Sequence, residues 1–222
     1  MSAFLGHIHH WLYHKISRVV EREQLIYQKA EEMCGGTAEE LQAQVWQIYG
    51  APQPDAKLED IIDQSNIHGW LQRQVTIAET REAALIKELI DTCGDAARAI
   101  TTDAYVEHGT ICGQHALSQG KYDAEAASGI YQALNDYVLN GMPCDQGDVV
   151  TANEADKVIW EGDVCLQERN WIKAGVDKNF MKELYGRWFA SFVTALNPAF
   201  SYSQTADTLK GDKVNRHQIV KR

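Results

Sequence analysis

The chain has 222 residues, 45% of them hydrophobic and 23% charged, with a formal net charge of −10 at pH 7. That composition suits a folded chain with a real core. The acidic balance excludes a broad phosphate-tracking surface, since nucleic-acid binding leans on clustered Lys and Arg. No apolar run approaches the ~20 residues that a bilayer span requires, so neither nucleic acid nor membrane is expected as a partner.

In chain order, residues 2–33 read as one helix, with Leu5, Ile8, Leu12, Ile16 and Val19 forming an apolar stripe. Gly35 and Gly36 stop it, and Thr37 with Glu40 offers a capping box for a second helix that ends at Gly50. Ala-Pro-Gln-Pro-Asp (51–55) is a break. Residues 56–92 are helical in pattern, with an interruption expected at His68-Gly69. Gly94-Asp95 restarts the chain into a helix to about Gln119, and Asp123 opens another to Asn140-Gly141. The 95–119 helix carries Gly109 and Gly113, each costing ~1 kcal/mol against Ala. Small residues four apart admit a close neighbouring helix or a ligand.

The pattern changes at Met142-Pro143. Residues 148–161 read as a hairpin, 177–196 as a helix with Phe180, Leu184, Trp188, Phe192 and Leu196 on one face, 200–205 as a strand, and 213–221 as the last strand. The expected fold class is therefore α+β: a helical region (1–141), then a small antiparallel sheet domain with a packed helix, β-β-α-β-β (142–222).

Five widely spaced cysteines (34, 93, 112, 144 and 165) suit neither a disulfide framework nor a zinc finger. The first residues lack a basic stretch followed by an apolar one. A reducing, cytoplasmic setting is expected. The amphipathic first helix can pack within the chain or on a second copy, giving a homodimer.

Several constellations could carry chemistry. His7, His10 and His14 fall within about 60° of one another on a helix, at ~100° per residue, and Glu21 shares their face. Three imidazoles and a carboxylate could hold a divalent cation such as Zn or Mn; a solvated or partner-facing surface is the alternative. His108 and His115, with Tyr105 and Cys112, share a face of the 95–119 helix, as pocket lining or as hydrogen-bonded core. Trp11, Trp160, Trp171 and Trp188 could wall an apolar pocket. No phosphate-loop, dinucleotide, nucleophile-elbow or H-E-x-x-H motif is present.

The C-terminal region carries the most specific pattern: Trp160-x4-Cys165 leaving a strand, Asn197-Pro198 after the helix, and Leu209-Lys210-Gly211-Asp212 before the last strand. Over roughly the last eighty residues this resembles the L-2-amino-thiazoline-4-carboxylic acid hydrolase-like family. The resemblance implies a small-molecule ligand, a heterocyclic amino acid, whose thiazoline ring is opened by water to an N-carbamoyl cysteine. The family pattern commonly places a cysteine after the Gly-Asp turn, where this chain has Asn215.

Ring opening needs an activated nucleophile at the amidine-like carbon and an acid at the departing sulfur. Cys165 is a candidate nucleophile and His217 a candidate acid or base. Glu161 or Asp163 could orient that imidazole or activate water. Arg216 or Arg187 could hold a carboxylate, with Trp160, His108 and His115 as further substrate contacts. The rival reading is a binding module of the same fold without catalysis.

Overall fold

The structure is a computed structural model, and it describes residues 5–53, 57–145 and 147–222. It has the α+β architecture expected, with helices first and a four-stranded antiparallel sheet near the C-terminus. The helices are α1 (His7–Cys34), α2 (Gly36–Tyr49), α3 (Leu58–Ile61), α4 (Ile67–Cys93), α5 (Asp95–Ser118), α6 (Ala127–Tyr137), α7 (Glu168–Ala174) and α8 (Lys178–Leu196). The strands are β1 (Val149–Asn153), β2 (Lys157–Gly162), β3 (Phe200–Ala206) and β4 (Asn215–Lys221), in spatial order β1-β2-β4-β3. No described helix is long and apolar enough to cross a membrane.

The differences from the sequence reading have local causes. The Thr37–Glu40 capping box does not form: Gly35, at φ +54°, joins α1 directly to α2, and Thr37 lies inside α2. The interruption expected at His68-Gly69 comes just before it, because Asn66 caps α4 by accepting from the Gly69 amide. Ile8 leaves the apolar stripe of α1 half exposed, while Leu12, Ile16 and Val19 are buried. Helix α7 was not expected, so the order around the sheet is β-β-α-α-β-β. The first residues of the expected helix 2–33 and part of the break at 51–55 lie outside the described residues.

One apolar core runs from Ile26 and Ala83 through Tyr105 and Trp188 to Phe200 and Ile219. Its centre is the packing of α5 on α8. A Cβ on Gly109 would stand 2.6 Å from the Trp188 carbonyl oxygen, and one on Gly113 2.5 Å from that of Phe192. Close helix approach is therefore what these two glycines serve. Hydrogen bonds tie the start of α6 to the end of α8 and to the β1–β2 hairpin. The Asn197 side chain donates to the Ala124 carbonyl at 2.8 Å, and the Ala127 amide to the hairpin carbonyl of Ala155 at 2.7 Å.

Candidate functional site

The pleat of the sheet turns Trp160 of β2 and His217 of β4 to the same side, and they are register partners across the ladder. Their rings stack at 5.3 Å and 17°. Tyr202 of β3 also packs on His217, with ring centroids 5.9 Å apart, and contacts Trp160 at 6.2 Å, and its hydroxyl shares a 2.8 Å hydrogen bond with Nδ1. Helices α6 and α8 cover this face without filling it. Between them lies a cavity of about 60 Å³, several times the ~10–15 Å³ that one water needs. Its size suits a small molecule.

Helix α8 contributes Lys182, Gly186 and Phe189, one turn apart on the sheet-facing side. Gly186 differs from the two packing glycines of α5. Its φ is not positive, and a Cβ there would meet no atom within 4 Å. The missing side chain is open space on the cavity wall. The segment between β2 and α7 brings Cys165, and Gln167 anchors that segment by donating to the Leu139 carbonyl at 2.9 Å. Asp148, just before β1, completes the polar end and accepts from Asn140 at 2.7 Å.

Asn215 is the most constrained polar group. Its Oδ1 accepts from Lys182 Nζ at 3.0 Å and from the Thr208 amide and hydroxyl at 3.2 Å each. Those donors fix the carboxamide, and its Nδ2 is buried without an acceptor among the described residues. A buried unmet donor costs about 1–3 kcal/mol. A ligand oxygen would relieve it, beside a lysine whose one ion-pair partner among the described residues is Asp207, at 3.8 Å.

Burial sets the protonation states. Desolvation at the cavity mouth raises the carboxyl of Asp148, a residue that is exposed overall, to about 6, against the opposing pull of the Asn140 hydrogen bond and the Lys15 and Lys182 charges. Burial pushes the Cys165 thiol up, with Lys182 pulling the other way. It drives His217 down to about 3, aided by the Lys182 charge. The site thus holds a neutral imidazole, a protonated thiol, a lysine and a carboxyl able to ionise near neutrality.

A consequence for His217 is testable. Its folded pKa lies below the free value of 6.5, so the unfolded chain takes the proton first and stability falls as pH drops from 6.5 toward 3. The ring resonances of His217 in a nuclear magnetic resonance titration should stay at neutral-imidazole positions through the mildly acidic range. A midpoint near 6.5 would refute this burial account.

The other residues singled out from the sequence are placed as follows. Trp160, Cys165 and His217 come together in the cavity, and Trp171 lines it too. Glu161 and Arg216 are register partners that pair with each other on the opposite face of the sheet. Arg187 is exposed and pairs with Glu183 one turn away. Asp163 is exposed on the loop after β2. His108 is a hydrogen-bonded core member, accepting from Trp188 Nε1 at 2.8 Å. His115 pairs with the Tyr137 hydroxyl. Of the N-terminal set, His7, His10 and His14 line one cleft, but Glu21 does not join them: His10 faces Glu59 at 3.4 Å, while Glu21 binds Arg18 and faces His108. Among the described residues no group of three or more His, Cys, Asp or Glu side chains could hold a metal ion.

Lys182, Asn215, Asp148 and Gly186 were not read from the sequence as site residues. The available signal was on α8, where Lys182 and Gly186 interrupt a second face beside the Phe180-Leu184-Trp188 stripe. No family model, curated protein or solved structure matches the chain.

Proposed function

We propose that this cavity binds a small, planar, amino-acid-derived heterocycle and opens its ring with water. The observation that carries the reading is the unmet Nδ2 donor of Asn215 beside Lys182. Two donors on one side of a small cavity suit a carboxylate. Trp160 and Phe189 offer flat walls for a ring, and Asp148 stands ready for an amidine or a water.

The chemistry follows from the protonation states. With a 2-aminothiazoline-4-carboxylate, ionised Asp148 takes a proton from water as the oxygen bonds to ring C2. The C2–S bond then breaks, the sulfur leaves as a thiol once it gains the proton from Asp148, and the remaining hydroxyl proton moves to the former ring nitrogen as the C2 carbonyl forms. The product is an N-carbamoyl cysteine, the substrate plus one water. A carboxyl that titrates near 6 is matched to this relay. A protonated, half-buried Cys165 favours water over a thiolate nucleophile.

The test is binding and turnover with 2-aminothiazoline-4-carboxylate, read by thermal shift and by mass detection of the ring-opened product. Ligand at 100 times its dissociation constant should add ~2.7 kcal/mol of stability. Gly186→Leu should fill the cavity and abolish the shift while the unliganded fold melts no earlier. Asp148→Asn should keep binding and lose product. A shift that survives Gly186→Leu would refute this site. The protonated Cys165 and Asn215, where the related pattern has cysteine, favour a second reading, binding without turnover. It predicts the shift with no product from the wild-type chain.

A further inference from the structure

A second cleft, of about 630 Å³, lies between α1 and the α5–α6 corner, away from the sheet. It gathers His7, His10, His14 and His115, four of the eight histidines of the chain, together with Arg18 and Lys121. In a chain with net charge −10 that is a local reversal of sign. Its walls also include Trp11, Tyr122 and Tyr137.

The only carboxylate among its described lining residues is Asp136, and that group is fully engaged. It accepts from Trp11 Nε1 at 2.8 Å, the Tyr122 hydroxyl at 2.7 Å and Lys121 Nζ at 3.2 Å. Asp136 thus fixes the aromatic walls and one cation in place. Arg18 spends one nitrogen on Glu21 at 2.7 Å and stands over the Tyr137 ring at 5.7 Å. Its other guanidinium donors have no acceptor among the described residues, and neither ring of His7 or His14 has a hydrogen-bond partner there. Flat walls, free N–H donors and an occupied carboxylate make a receptor for a flat anion.

We propose that this cleft is a second ligand site, distinct from the sheet cavity, for a small aromatic anion whose charged group meets Arg18 and the His14 imidazole while its ring lies against Trp11 and Tyr137. The shared chemistry is a ring bearing a phosphate or a carboxylate. The site does not depend on the function proposed for the cavity.

The probe is phenyl phosphate, with inorganic phosphate and phenol as its separated halves, measured by titration calorimetry on the full chain. Phenyl phosphate should bind saturably, and each half much more weakly. Arg18→Gln removes a charged donor and should weaken binding about tenfold or more, and His14→Gln should weaken it as well. Both variants should melt like the parent, since Arg18 and His14 are partly exposed. Lys182→Met, in the other cavity, should leave binding unchanged. Absence of saturable binding would overturn the proposal. So would binding lost on Lys182→Met and kept in Arg18→Gln, which would place the anion at the sheet cavity.

Discussion

Replacing Arg22 with Met is expected to cost about 3–5 kcal/mol of folding stability, the range for removing one partner of a buried ion pair. Arg22 of α1 grips Glu82 of α4 with two bonds, 2.6 and 2.8 Å long, and the side chains are 5% and 1% exposed. Its guanidinium lies over Tyr105 and Tyr185 at 4.3 and 5.0 Å. Met keeps most of the volume and removes the charge, leaving Glu82 buried among aromatic rings. Beside it Arg81 holds Glu23 at 2.7 Å, and Glu79 brings a third buried carboxyl, pushed up to about 7 by burial. Among the described residues three buried carboxyls share two buried guanidiniums there, so once Arg22 is gone the other, held by Glu23, is not free for Glu82. Urea unfolding checks the size of the loss. Arg22→Met with Glu82→Leu should recover most of it, because an apolar pair of similar volume needs no counter-charge. A double variant as unstable as the single one would contradict this account.

The same substitution should have opposite signs at two glycines of the α5–α8 pair. Gly113→Ala gains ~1 kcal/mol of helix propensity. It also puts a methyl 2.5 Å from the Phe192 carbonyl oxygen and 2.9 Å from the Ala195 Cβ. Backbone cannot step aside as a flexible side chain can, so the helices must separate along a shared core. Overpacking of this kind costs about 1–3 kcal/mol or more, and a net loss is expected. Gly186→Ala meets nothing within 4 Å and should gain up to ~1 kcal/mol. Melting curves of the two variants decide the matter. Equal signs would mean that space on the two sides of α8 is not what separates these glycines.

That contrast also explains what the sequence could disclose. The long helices were legible because their apolar residues repeat at helical spacing, and the strands because Phe200, Tyr202 and Gln204 alternate with small polar residues. Gly109 and Gly113 were legible as a close-packing pair by their four-residue interval. Gly186 was not, since a glycine that keeps space open looks the same in sequence as one that packs. Helix α7 is seven residues long and is held by burying Trp171 against the core, a tertiary cause with no local period. Of the candidate site, Trp160, Cys165 and His217 could be named from the turns and strands around them. Lys182 and Asp148 could not, because they reach the cavity from elements whose docking only the fold decides. Of the two arginines named as carboxylate holders, Arg216 lies next to His217 on β4 and so points to the face of the sheet away from the cavity.

The edge strand β1 carries exposed Val149 and Val150 beside an unpaired row of backbone groups. A flat apolar edge of that kind is a template for pairing with another chain. The register of β1 on β2 slips between Val150 and Ala152, however, so Thr151 has no opposite number. A bulge at that point bends the strand and increases its local twist. A second β1 laid alongside would match for only a couple of residues before the two ladders diverged. The irregularity therefore acts as a guard against edge-to-edge self-assembly, placed at the most apolar stretch of the rim.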